Sequence, residues 1–221
     1  MTSEPDPPWL RDAVRAVGHE VAAFAHTLWA IVSSPARFAD DWAAGRRRAL
    51  NPLAFLLNAL AVLGPWRALW ARLLDPNAPA TPLWWELAKP IYPIAVNVSV
   101  TALFHLLLRP LGARRPLRSS LAIGMYVTGG PSSIMNILIG PLMLYGFIHR
   151  ENVAVTLSMS LANLAMLGVF IGYSIVAQAG LHRVSRWRVA VAVLLAWTAF
   201  GYLAARTTLH HPNLMRSLLE G

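Results

Sequence analysis

The residues of this chain that could do chemistry are the few polar ones that interrupt its apolar stretches. His105 lies in NVSVTALFHLLL, a run otherwise of apolar and small residues. An imidazole so placed can bind a metal, a haem or a substrate, or share a proton; it can equally hydrogen-bond a neighbouring helix. Asn58, Asn97, Asn136 and Asn163 are spread over four apolar stretches. Buried amides need partners, so they predict interhelical hydrogen bonds. Were Asn97, His105, Asn136 and Asn163 to converge, they would instead line a polar cavity. Gly129-Gly130-Pro131 would break a helix beside it, and irregular backbone at membrane depth is tolerated only when buried in protein or facing such a cavity.

Other signatures of catalysis are missing. The sequence has no HExxH, no glycine-rich phosphate loop and no paired carboxylates in its apolar part. It has no cysteine, which excludes disulfides, thiolate ligands and cysteine nucleophiles. Glu86 lies beside an apolar stretch, and Lys89 three residues on makes it a surface ion pair. With no carboxylate at mid-membrane, a proton- or sodium-coupled carrier of the acidic type is disfavoured. His210-His211 falls in a short tail, where adventitious metal binding is the most it would do. No catalytic, cofactor or metal site is expected.

The elements that must position these residues are membrane helices. Hydrophobic residues make up 56% of the 221 and charged ones 13%, with a mean hydropathy of +0.49, outside the ordinary soluble range. Five apolar stretches run roughly over 50–64, 88–108, 119–148, 152–178 and 188–205. The predicted fold class is therefore all-α: a polytopic transmembrane bundle of about five spans. Thirteen of the nineteen cations lie before the first stretch, between the second and third, or between the fourth and fifth. Positive loops stay cytoplasmic, which predicts the N-terminus inside and the C-terminus outside. The net charge of +9 is thus a topological signal. It is not a basic face interleaved with base-stacking aromatics, and no nucleic acid is expected. Arg46, Arg47, Arg48, Arg114 and Arg115 are the candidates for contact with anionic lipid headgroups.

Along the chain, residues 1–8 read as disordered and 9–48 as cytoplasmic amphipathic helices. Leu10, Val14, Val17, Val21, Phe24, Leu28 and Ile31 form one stripe suited to an interface. Ser34-Pro35 starts a second short helix, with Phe38 and Trp42 on one side and Gly45 to end it. Residues 49–206 form the membrane domain and 207–221 a tail. Trp66, Trp70, Trp84 and Trp85 suit the outer interface, where Arg67 and Arg72 suggest a surface-lying helix. The third stretch, about 45 Å long as a helix, is either one kinked span or two half-helices meeting near the break. Gly168 and Gly172 share a helix face and permit close contact with another helix, in this chain or a second copy.

LRSSLAIGMYVTGGPSSIMNILIG, with Tyr126, Gly129, Gly130 and Pro131, resembles the Yip family of five-span membrane proteins, first met as partners of Ypt/Rab GTPases. AGLHRVSRWRVAVAVLL is similar to that family's closing signature, and SSPARFADDW to the N-terminal part of its bacterial members. The resemblance covers roughly residues 33–205. It implies a helical five-span fold, N-terminus in and C-terminus out, and it does not imply an enzyme activity. The arginine- and alanine-rich composition suits a bacterial inner membrane, where a Rab role does not transfer. The expected function is a non-catalytic scaffold or accessory subunit, or a role in lipid organisation. The expected partners are anionic lipids and other membrane subunits or a second copy. A small transporter using the broken third stretch is the alternative, and a cofactor or enzyme site at His105 a further one.

Overall fold

A computed structural model describes residues 8–74, 91–149 and 151–210. Among them all regular structure is helical: α1 (Pro8–Ser33), α2 (Pro35–Ala43), α3 (Pro52–Leu74), α4 (Ile91–Leu108), α5 (Leu117–Gly129), α6 (Pro131–Ile148), α7 (Val153–His182) and α8 (Arg186–His210). The expectations for residues 1–7, Trp84, Trp85, the Glu86–Lys89 pair and His211 lie outside the described residues.

Local chemistry sets the helix ends. Pro35 opens α2, where its missing N–H would have had no partner anyway. Gly45, at φ +70°, turns the chain out of α2, its N–H donating to Trp42 O. Asn152 caps α7: its Oδ1 accepts from the amides of Ala154 (3.0 Å) and Val155 (3.3 Å). At its other end α7 closes on Arg183 in the left-handed conformation (φ 53°), with Val184 N–H returning to Ala179 O. Glycine usually fills that position.

Three helices are long and apolar enough to cross a membrane: Pro52–Leu74, Leu117–Leu142 and Val153–His182. They coincide with the first, third and fourth apolar stretches. The apolar part of α4, Ile94–Leu108, is shorter, and α8 carries Arg186, Arg188 and Arg206.

The third stretch is two helices hinged at Gly130 (φ −100°, ψ −93°). Gly130 N–H still bonds Tyr126 O, and Ile134 N–H bonds Gly130 O, so the discontinuity is local to Pro131 and its neighbours. The glycines also serve packing. A methyl at Gly129 would lie 3.0 Å from the Phe55 ring, and one at Gly130 would lie 2.9 Å from Tyr126 O and 3.0 Å from Ile31 Cγ2. The hinge therefore lets α3 and α1 approach.

The core gathers at the end of the bundle that holds the 109–116 and 183–185 loops. Tyr126 is its hub, meeting Phe38 edge-on at 5.0 Å and the Phe55 and Trp42 rings at 5.5 and 5.9 Å, while its hydroxyl donates to Leu50 O. The apolar stripe of α1 divides: Ile31 is buried and Phe24 and Leu28 pack against the same cluster, whereas Leu10, Val14, Val17 and Val21 are exposed. At the other end α7 exposes Leu157, Leu161 and Leu164 by 58–64%. Gly168 and Gly172 make no close contact with the described residues, since a methyl on either would meet none of them within 4 Å.

Candidate functional site

The buried polar residues form a seam between α4 and α5. On α4, Asn97, Thr101 and His105 recur every fourth residue, and on α5 so do Ser120, Gly124 and Thr128. That period places each set on one face of its helix. The helices run in opposite directions, so His105 meets Ser120, Thr101 meets Gly124 and Asn97 meets Thr128. His105 Nδ1 is 2.8 Å from Ser120 Oγ. Asn97 Nδ2 donates to Thr128 Oγ1 and, at 3.3 Å, to Gly124 O. Gly124 makes the middle rung possible: a methyl there would stand 2.8 Å from Thr101 Oγ1 and 3.0 Å from Asn97 Oδ1.

At its loop end the seam reaches α7. Ser120 Oγ is 2.9 Å from His182 Nε2, and Gln178 Nε2 donates to Ser120 O at 3.0 Å. One backbone amide fixes the protons. Arg115 N–H, which can only donate, bonds His182 Nδ1 at 3.3 Å, so the His182 proton is on Nε2 and points at Ser120. Ser120 then gives its own proton to His105 Nδ1, leaving the His105 proton on Nε2. The result is a directed chain from Arg115 through His182 and Ser120 to His105. A serine donating to an imidazole resembles a nucleophile and its base, but Ser120 is 0% exposed and both its hydroxyl roles are taken. Nothing outside reaches its Oγ unless the helices part.

The four residues that would line a polar cavity were they to converge do not come together. Asn97 and His105 are two turns apart on the seam. Asn136 Nδ2 donates to Ser132 O within its own helix, and Asn163 is exposed on α7. Asn58 bonds Glu20 Oε1 of α1 at 3.2 Å. Near the hinge, Ser133 Oγ donates to Thr128 O. Asn97 Oδ1, Ser132 Oγ and Gln178 Oε1 are buried without a hydrogen-bond partner among the described residues. Sequence reasoning missed Ser120, Gly124, Thr128, Gln178 and His182 as a group. The matched four-residue periods of the two helices were the available signal.

The candidate headgroup arginines differ in what they already touch. Arg46 is committed within the chain, donating to Asp40 Oδ2 (2.8 Å) and Asp41 Oδ1 (2.9 Å). Arg183 donates to both oxygens of Asp40, from Nε at 2.9 Å and Nη2 at 3.2 Å, which ties α2 to the end of α7. The Arg183 guanidinium, and after it Arg46, holds the Asp40 carboxyl below its ordinary value. Arg47 lies over the Phe38 ring at 5.9 Å. Arg48 and Arg114 are exposed and Arg115 is half-buried.

No family model, curated protein or solved structure matches the chain. What it does has to be argued from its own residues.

Proposed function

We propose that this chain is a non-catalytic, five-span membrane protein, related in plan to the Yip family, that acts as a scaffold or accessory subunit or organises lipid around it. The observation that carries the reading is the closed seam. Its most reactive side chains, Ser120, His105 and His182, satisfy one another across three helices. Such bonds hold membrane helices together, at roughly 0.6 kcal/mol each on average. The leucine-rich outer face of α7 supports a lipid or subunit environment, because an exposed patch of that kind in water would aggregate. In this reading α4 and α8 join the three longer helices as spans, in a bacterial inner membrane. The arginine-rich loops face the cytoplasm beside anionic lipid, and the C-terminus lies outside.

A second reading, a small transporter, has one observation in its favour. Ser132 Oγ, two residues past the Gly130 hinge, is buried without a hydrogen-bond partner among the described residues, and carriers place substrate sites at broken helices.

Extraction into native lipid discs with mass spectrometry of what co-purifies separates the two. A protein partner in fixed stoichiometry is the expected result. The absence of any partner, together with solute flux into liposomes that Asn97→Ala abolishes, would overturn the scaffold reading.

A further inference from the structure

We propose that Arg114 and Arg115, beside the wall formed by His182 and Leu181, form a binding pocket for a phosphate group, carried by a lipid headgroup or free in solution. Only the lipid as carrier rests on the membrane reading above; the pocket itself is a property of the loop end of the bundle. A cavity of ≈ 210 Å³ lies where the α4–α5 loop meets the end of α7, lined by Arg114, Arg115, Leu181, His182 and Arg183.

Three guanidiniums and an imidazole border this cavity, and among the described residues no carboxylate lines it. Arg183 is neutralised by Asp40, but Arg114 and Arg115 make no ion pair with a described residue. Two planar, permanently charged forks beside a partly open cavity suit a phosphate, whose oxygens can take paired N–H donors. The first turn of α5 adds to the same field. Pro116 leads into it and no acid stands in that turn, so the helix dipole keeps its partial positive charge at this end. Leu181 supplies an apolar wall for the carbon next to a phosphoester.

The pocket is joined to the interior. The backbone of Arg115 bonds His182, which continues through Ser120 to His105. A phosphate here would hold the α4–α5 loop against α7 and tighten the seam behind it.

The test uses the full chain in phosphatidylcholine discs containing a minor fraction of phosphatidylglycerol, with native mass spectrometry of retained lipid. A second arm titrates inorganic phosphate in neutral detergent and follows thermal unfolding. Arg114→Gln with Arg115→Gln leaves the amide that bonds His182 in place, so the double variant keeps the seam. Arg186→Gln, an exposed cation outside the pocket, controls for diffuse charge. Wild type should retain one phosphatidylglycerol, and the double variant should lose it by about 30-fold in affinity, each arginine near the surface being worth roughly a factor of five. Arg186→Gln should retain it. Retention of phosphatidylglycerol alone assigns the pocket to lipid. Stabilisation by inorganic phosphate that the double variant lacks assigns it to a soluble phosphate. Equal retention by wild type and double variant with no response to phosphate, or an equal loss in Arg186→Gln, overturns the site. Neither failure would alter protein partners co-purified in native discs, so the scaffold reading is judged separately.

Discussion

Replacing Gly180 with alanine should loosen α2 from the bundle without disturbing α7 itself. A Cβ at this position would stand 2.2 Å from Ala36 O, 2.6 Å from Ala36 Cα and 2.7 Å from Ala36 C. These are backbone atoms and cannot rotate aside. Carbon and a carbonyl oxygen rest no closer than about 3.3 Å, so α2 must retreat by about 1 Å. A gap of that size forfeits a quarter to a half of each dispersion contact it opens, and the fully buried Phe38 and Ala39 sit on the retreating helix. Overpacking of this kind costs about 1–3 kcal/mol. The better helix propensity of alanine returns up to about 1 kcal/mol. The net loss should be about 1–2 kcal/mol, a factor of 5–30 in the undocked population. Proteolysis of residues 34–50 in mild detergent, followed by mass spectrometry, reads that population. Gly168→Ala and Gly172→Ala, on the same helix with open space around them, are the controls and should be neutral or slightly stabilising. If Gly180→Ala were cut no faster than these controls, the close packing of α2 on α7 would be refuted.

Three further outcomes follow from the same geometry. Ser120→Ala strands His105 Nδ1 and His182 Nε2–H, both buried, and should cost about 2 kcal/mol in denaturant unfolding; Asn163→Ala, exposed, should stay within about 0.5 kcal/mol, and equal effects would contradict the chain of hydrogen bonds. The docking of α2 should weaken in acid: the Asp40 carboxyl titrates below its ordinary 3.8 when folded, so its contribution is present above that pH and disappears as pH falls through the lower folded value. Protease sensitivity of α2 should therefore rise only below about pH 4, and Asp40→Asn should abolish the pH dependence. Gly124→Ala should destabilise by about 1–2 kcal/mol through its contact with Thr101 Oγ1, and Thr101→Ala in the same chain should recover part of the loss in a double-mutant cycle; strict additivity would mean that α4 and α5 do not meet there.

Much of the fold was legible because it is written in one-dimensional quantities. Among the described residues the five apolar stretches all fall on helices, of which three are long and apolar enough to cross a membrane, and Gly129-Gly130-Pro131 marks the hinge through its backbone chemistry. The fate of α1 was not legible. Its stripe is continuous from Leu10 to Ile31, but only the last third finds a partner, because the Gly129-Gly130 hinge opens space at that level alone. Gly168 and Gly172 share a helix face by their spacing, but a methyl on either would meet no described residue within 4 Å, so no close contact within the described part of the chain uses that face.

The sequence by itself determined that the chain is helical, largely apolar and poor in catalytic side chains, since length, hydropathy and residue type are properties of the chain and need no neighbours. It also fixed which polar residues fall within apolar helices. Only the tertiary structure decided which of those meet. His105 is paired with Ser120 and His182, and Arg46 with Asp40 and Asp41, while Asn163 is left at the surface, because partnership depends on the facing and register of helices far apart in sequence. For the same reason it decided that Arg114 and Arg115 border a cavity to which no described residue contributes a carboxylate.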